Sequence, residues 1–388
     1  MIFLEANSYA LQGKRQVSAD MEIQKKDLVP KDKYQMKLDL FALDPLIDQN
    51  YSNTVDIVDL LGRFLYDKKT KYRREVSAED SQFTRTTVYN GVLVTARVTA
   101  ANIERVTKGK KERFFVFPGA REEIIEDVLK KLATEKRAEG FETATGNKTT
   151  MLVGLNFSLY EVYEELKRVR GKIQYSYSEI REALLILSRS NLEISTEDNS
   201  ISVSAPFLPV LAFAEKSKSS DTRSFVCFHP LVTDLILTNK YRRYNYKKSL
   251  SFVGSYTRLV YKRLCNRWVQ AGSGNPYRIK LSTLVAAIKS PYKNLYQDKA
   301  WAIETLEELK RENVIESYEA ESQKLKSKIV DWVFTVKATN EFAKQQAANN
   351  RVFNRIREKA LRPSPGASRK EIRTNTNIEE NDEIPFDG

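Results

Sequence analysis

The sequence predicts an α+β chain in which two helix–turn–helix units each run into a β-hairpin, and three observations carry that expectation. First, Ser158 with Glu161 and Ser176 with Glu179 have the S-x-x-E spacing, in which hydroxyl and carboxylate satisfy backbone N–H groups orphaned at a helix start. Second, the helix opened by the latter pair, about Ser178 to Arg189, has Ile180, Ala183, Leu184 and Leu187 on one side. It runs straight into Leu192-Glu-Ile-Ser, a turn at Glu197-Asp-Asn and Ile201-Ser-Val, a hairpin pattern. Third, the order returns. A helix from about Ser249 to Val269 with Val253, Tyr256, Val260, Leu264 and Trp268 inward precedes strand Tyr277 to Leu281 and helix Ser282 to Ile288. A turn at Ser290-Pro291, helix Gln297 to Arg311, and a hairpin from Val314–Tyr318 and Ile329–Val336 follow. Helix, turn, helix, hairpin is the winged-helix order, and its recurrence reads as two such domains in tandem, a degenerate duplication of architecture.

The remaining elements follow in chain order. Residues 1–50 mix charged and apolar patches without a sustained period and read as a flexible leader. Residues 51–110 form a small N-terminal region whose Thr86 to Val98 stretch is rich in Val and Thr. The first winged-helix domain, 111–220, opens with a strand at Phe114 to Phe117 and a helix with Ile124, Ile125, Val128, Leu129 and Leu132 on one side; Glu122 and Glu123 read as part of its solvated face. The second, 221–340, opens with strand Phe225 to Phe228 and helix His229 to Leu237. Residues 341–388 give an Ala-, Gln- and Arg-rich helix to about Leu361 and then a disordered acidic tail.

A net charge of +13 over 388 residues points to a polyanionic partner, because Lys and Arg gain free energy by releasing counterions from phosphates. The excess is local: residues 221–300 hold 15 Lys and Arg against 3 acids. Within them, Lys240-Tyr-Arg242-Arg243-Tyr244-Asn-Tyr-Lys247-Lys248 reads as a linker whose cations meet phosphates and whose tyrosines stack on bases or anchor the chain. A solvated linker with aromatic anchors is the alternative. Replacing Arg242 and Arg243 by Ala is accordingly expected to weaken binding to all DNA and flatten its salt dependence. In the helix that follows, Arg258, Lys262 and Asn266 recur at i, i+4 and make a basic face, again read as contacting phosphate. Arg278 and Lys293 add charge nearby. Candidates for base reading are the first turns of the two presumed recognition helices: Tyr177 and Arg181 in one, with Glu179 and Glu182 beside them; Asn294, Gln297 and Lys299 in the other. Trp301 fits the core better than a base contact.

Other chemistries lack residues. His229 is the one histidine, so no two-histidine metal site can form; before Pro230 it reads as structural or as a helix cap. Gly140 to Thr149 lacks the adjacent Gly-Lys of a phosphate loop and reads as a flexible loop. Cys227 and Cys265 have neither disulfide nor metal spacing and read as buried, reduced thiols. No apolar run approaches a membrane span and the start lacks a signal-peptide pattern, so the expectation is a cytoplasmic, non-enzymatic protein without cofactors.

Ser255-Tyr-Thr-Arg-Leu-Val-Tyr-Lys-Arg-Leu264, Tyr277-Arg-Ile-Lys-Leu-Ser-Thr-Leu284 and the Tyr292 to Leu309 segment together resemble the C-terminal winged helix of theta-type plasmid replication initiators, the iteron-binding Rep family. The resemblance covers roughly Phe114 to Val336 and departs from the family in the acid-rich second half of the last helix, at Glu304, Glu307 and Glu308. It implies a plasmid or phage protein that binds double-stranded origin repeats, opens adjacent DNA, recruits the host helicase and polymerase, and switches between monomer and dimer. A winged-helix transcriptional repressor is the rival reading. Two peptides suggest replisome contacts. Lys37-Leu38-Asp-Leu40-Phe41 is similar to a sliding-clamp-binding peptide, against an amphipathic leader packed on its own domain; Asp382-Glu-Ile384-Pro385-Phe386 is similar to the tail of single-strand binding protein, against a solubilising acidic tail.

Overall fold

The computed structural model describes residues 37–44, 48–65, 75–89, 91–107, 110–136, 138–145, 148–171, 175–198, 202–213, 223–272, 274–287 and 294–361. The fold is α+β, with five small antiparallel sheets among the described residues and one long helix buried along most of its length. That helix, α2 (Ala120–Lys136), follows α1 (Asp56–Leu60) in the chain. Every residue of α2 from Glu122 to Thr134 is buried. One side of α2, with Ile124, Ile125, Val128, Leu129 and Leu132, belongs to the main hydrophobic core. The other carries Glu122, Glu123, Glu126, Asp127, Lys130 and Lys131 and is equally withdrawn from water, which corrects the expectation of a solvated face.

The helix–turn–helix of the first unit is α3 (Leu159–Arg170) and α4 (Tyr177–Arg189). Both capping boxes form as expected: Ser158 and Ser176 accept from the backbone N–H of Glu161 and Glu179, whose carboxylates accept from the serine N–H. Gly171 ends α3 at φ 68°, a left-handed position that costs glycine nothing. The hairpin after α4 is β9 (Asn191–Thr196) and β10 (Ser202–Pro206), but it is no isolated wing. β4 (Val92–Thr99), paired in turn with β3 (Gln82–Tyr89), adds to the free edge of β9, giving the order β10-β9-β4-β3. A neighbouring three-stranded sheet holds β2 (Glu75–Val76), β5 (Ala101–Thr107) and β6 (Lys110–Val116).

Strand pairs cross the divisions expected near residues 110 and 220. β12 (Ser224–Cys227) pairs with β11 (Val210–Ala212) and with β8 (Lys148–Phe157). β7 (Glu139–Thr145) and β8 form a hairpin where a flexible loop was expected at Gly140 to Thr149. β13 (Tyr241–Asn245) lies antiparallel to β1 (Tyr51–Val55), so the basic linker is a strand inside the fold. Two of its five side chains, Tyr241 and Tyr244, are buried. Residues 37–44, part of the expected leader, are packed too: Leu38 and Phe41 are buried, and the Phe41 ring meets Tyr241 edge-on at 5.0 Å. The side chains a clamp pocket would need therefore fill the protein's own core, while Leu40 is half-buried.

After α5 (Pro230–Leu237), the single long helix expected from Ser249 to Val269 is two: α6 (Tyr246–Ser251) and α7 (Ser255–Arg267). The break leaves Val253, expected inward, 94% exposed. Then come β14 (Tyr277–Lys280), α8 (Leu281–Ala287), α9 (Leu295–Arg311), β15 (Ile315–Leu325) and β16 (Lys328–Ala338), with the sheet order β14-β16-β15. This unit keeps the expected order, but its sheet closes on itself, whereas the sheet of the first unit borrows strands. Both units thus contain a helix pair followed by a hairpin, and their sheets pair differently. The chain ends its described part in α10 (Asn340–Leu361), whose Gln346 amide donates to the carbonyls of Leu264, Cys265 and Trp268 at 3.1–3.3 Å, closing the C-terminus of α7. Residues 362–388, with Ile384, Pro385 and Phe386, lie outside the described residues, as does Lys293. No helix among the described residues is long and apolar enough to cross a membrane.

Candidate nucleic-acid interface

Most of the cations concentrated in residues 221–300 are engaged inside the protein. On α7, Arg258 donates to Glu123 at 2.9 Å and Lys262 to Asp127 at 2.6 Å, so the presumed phosphate face is the face that docks on α2. Asn266, one turn on, donates to the Thr54 hydroxyl at 3.1 Å. With Lys130 on Asp59 at 2.5 Å and Arg63 on Glu126 at 2.5 Å, these pairs make a seam of four cations and four carboxylates, none more than 4% exposed. Burial opposes the charges of Lys262 and Asp59; the carboxylates of Asp127 and Glu123 outweigh it at Lys262 and hold the ammonium protonated, and Lys130, Lys262 and Arg63 together hold Asp59 below the usual carboxylate range.

The linker residues are tied in the same way. Arg243 pairs with Asp48 and covers the ring of Tyr51 at 3.8 Å; Arg242 donates to Asn350 at 2.9 Å and covers Phe353 at 4.4 Å. Lys248 donates to the carbonyl of Glu312 at 2.7 Å, and Tyr244 is buried. Of that basic run only Lys240 and Lys247 are exposed. The positions assigned to phosphate at Arg242, Arg243, Lys248, Arg258 and Lys262 are thus corrected to internal contacts, and Tyr244, expected to stack on bases or to anchor the chain, is buried as an anchor. The physical reason is pairing: each charged member of the set found an opposite charge, a carbonyl or an aromatic face within the fold.

What does face outward is the start of α9 and the hairpin beside it. Asn294 caps α9 by accepting from the Gln297 N–H at 2.9 Å, which commits its carbonyl oxygen, while Gln297 is exposed and Tyr296 is 64% exposed. Lys299 lies over the Trp332 ring, its ammonium 3.1 Å from the centroid, and so ties the first turns of α9 to β16. Trp301 is core, as expected, packed edge-on to Tyr256 of α7 at 4.4 Å. β15 and β16 are each 11 residues long, whereas β14 has 4 and reaches only Val333 to Val336 of β16. The hairpin therefore projects beyond its sheet, and its end carries the exposed Lys324, Lys326 and Lys328 with Leu325 at 68% exposure. Arg278 on β14 is exposed, 4.0 Å from Glu321.

Two of the acids of α9 named above bind neighbouring elements of the fold, Glu307 from the exposed face and Glu308 from the buried one. Glu307 accepts from the Tyr318 hydroxyl of β15 at 2.7 Å, raising the phenol to about 12 with burial as the larger cause. Glu308 accepts from the backbone at the start of α7. In the first unit, Tyr177 is 46% exposed and stacked on Tyr163 at 4.9 Å, and the exposed Arg181 covers Phe213 at 4.0 Å. Glu182 is shared by Arg105 and Arg121 at 2.8 and 2.9 Å. His229 caps α5, its Nδ1 accepting from the Leu231 N–H at 3.2 Å while Nε2 faces the Leu192 carbonyl; burial pushes its pKa down to about 4. Cys227 and Cys265 are free and buried. Among the described residues no group of three or more His, Cys, Asp or Glu is placed to hold a metal ion.

Sequence reasoning passed over Tyr296 and the three lysines of the hairpin end. Their signal was present: Lys324-Leu-Lys-Ser-Lys328 alternates charge at the turn between two long strands, and Tyr296 falls off the inward stripe that Trp301, Thr305 and Glu308 define.

No family model matches the chain, and no curated protein matches it. Among solved structures it is similar to domains 2 and 3 of RctB, at 12% identity and a TM-score of 0.41, over 73% of this chain and 96% of that one. It is also similar to the Pi initiator protein solved in complex with iteron DNA, at 13% identity and a TM-score of 0.39, over 57% of this chain and 91% of that one. A likeness at this level leaves the function to be argued from the residues.

Proposed function

We propose that this chain is a sequence-specific, non-enzymatic DNA-binding protein of the cytoplasm that initiates replication of a plasmid or phage, reading duplex origin repeats with its second winged helix. One observation carries the reading: the Lys299–Trp332 contact brings the exposed start of α9 against a projecting hairpin with three lysines at its end. A helix start offering Tyr296 and Gln297 suits the major groove, and a flanking lysine-tipped hairpin suits the phosphate backbone alongside. Phosphate contacts from the hairpin fix register, and the helix supplies discrimination. The origin assignment is supported by the family resemblance of the segments from Ser255 to Leu309. In the first unit, Tyr177 and Arg181 offer a second contact, giving a site read by two units in succession.

The test is selection of duplex fragments bound by the protein from its own encoding replicon, followed by permanganate footprinting of the recovered site. Binding to tandem repeats with opened thymines nearby is the expected result. A single promoter palindrome without opening makes the protein a repressor, and no selective binding overturns the DNA reading.

A further inference from the structure

We infer that Glu308 is a positioning residue for DNA reading: by capping α7 from within α9, it fixes the direction in which the recognition helix is held. This rests on the proposed role of α9. Five other helices, α3, α4, α5, α6 and α9, take their N-cap from a local side chain: Ser158, Ser176, His229, Asn245 and Asn294. α7 has Gly254 at that place and no local side-chain cap. Its acceptor comes from Glu308, 54 residues away: Oε1 takes the Val253 N–H at 2.6 Å, and the Gly254 N–H lies 3.3 and 3.2 Å from the two oxygens. The Thr257 hydroxyl donates to Oε2 as well. A carboxylate at this end also meets the positive pole of the helix dipole.

The glycine is part of the arrangement. A Cβ at Gly254 would lie 2.7 Å from Glu308 Oε2 and 2.7 Å from Thr257 Oγ1, so any local capping residue would collide with the distant one. The sequence gives up a cheap local cap and uses one that joins two helices. α9 is thereby held on α7 at two places, Trp301 against Tyr256 and Glu308 at the start of α7. Seven residues separate them, or roughly 10 Å along a helix axis. Two anchors that far apart fix a direction on α7, and one leaves a pivot about which α9 moves together with the hairpin that Lys299 and Glu307 tie to it. Movement about Trp301 carries Tyr296 and Gln297 with it, and base-edge contacts fail on displacements of about 1 Å.

A helix cap that merely stabilises can be replaced by any other cap; one that aims α9 cannot. The experiment uses the full chain, measuring its affinity for its own selected duplex and for a scrambled duplex, with thermal midpoints alongside. Glu308→Ala is expected to lower the midpoint and cut the ratio of the two affinities on the order of tenfold. Adding Gly254→Asp to that variant puts a local cap into the space the carboxylate leaves, with the Thr257 hydroxyl, released from Glu308, turning aside from the new Cβ; the midpoint is expected to recover while the ratio stays low. Recovery of the ratio with the midpoint would reduce Glu308 to a structural cap and overturn the inference, as would a single variant whose ratio matches the parent. Glu308→Gln, which keeps one acceptor oxygen, is expected to fold and to give an intermediate ratio, so the inference is tested even where the alanine variant does not fold. A parent protein that discriminates no duplex instead sinks the DNA reading itself.

Discussion

The seam between α2 and α7 and the end of the β15–β16 hairpin are built from the same residue types and have opposite fates. In the seam, Arg258 and Lys262 stand opposite Glu123 and Asp127 at matching i, i+4 spacing, fully withdrawn from water. At the hairpin end, Lys324, Lys326 and Lys328 meet solvent, with Leu325 between them. The local charge density that makes the first region look like a nucleic-acid surface is used there to join two helices. What distinguishes the regions is whether a carboxylate of complementary spacing exists elsewhere in the chain.

Removing one partner in the seam gives the sharpest contrast. Lys262→Ala strands Asp127 in the interior and is expected to cost about 3–5 kcal/mol in urea unfolding, against less than about 0.5 kcal/mol for Lys326→Ala. Lys262→Met with Asp127→Leu is expected to be near neutral or stabilising, because no uncompensated charge remains. A double variant as damaged as the single one would mean that the seam does more than balance charge.

Protonation strains the fold at His229. Its folded pKa of about 4 lies below the unfolded 6.5, so the native state resists a proton that the unfolded chain accepts. The stability contributed by the neutral ring is complete above 6.5 and is lost as pH falls towards 4, by roughly 3 kcal/mol in all. His229→Gln is expected to be less stable at neutral pH but to lack that share of the acid loss; unchanged acid sensitivity in the variant would break the assignment.

Arg242→Ala with Arg243→Ala tests the linker directly. The contacts with Asp48, Tyr51, Asn350 and Phe353 lead to an expected loss of about 1–3 kcal/mol in stability with the salt dependence of DNA binding unchanged, the reverse of what the sequence suggests. Replacing Lys324, Lys326 and Lys328 together by Ala should do the opposite. Stability stays within about 0.5 kcal/mol, while affinity falls for every sequence and the salt slope drops by about 2–3. An unchanged slope removes the hairpin from the interface.

These outcomes also mark what was legible in the sequence. Capping boxes at Ser158 and Ser176 and the stripe of Ile180, Ala183, Leu184 and Leu187 are local signals, and the helices formed where they pointed. Sheet membership is not local. Nothing near β9 announces that β4 will cover its edge, nor that β13 will pair with β1 across nearly 200 residues. The burial of α2 escaped because an amphipathic pattern sends charges to water by default. The clue lay in two segments at once, Glu123 with Asp127 and Arg258 with Lys262, each pair one turn apart and opposite in sign. Of the DNA-binding candidates, Tyr177, Arg181, Lys240, Lys247, Arg278 and Gln297 remain at the surface, Asn294 and Lys299 are drawn into holding α9, and the hairpin lysines escape a search by charge density because their exposure comes from the length of the hairpin.

The amide that closes the C-terminus of α7 belongs to Gln346, 81 residues beyond Cys265. On the ribosome, α7 is therefore made long before the group that satisfies the carbonyls of Cys265 and Trp268, which stay hydrated until α10 has been translated. A transcript cut short between the codons for Ala338 and Gln346 encodes the entire hairpin yet leaves α7 fraying at its end, and such a chain presents a cellular protease with an opening that the finished protein lacks.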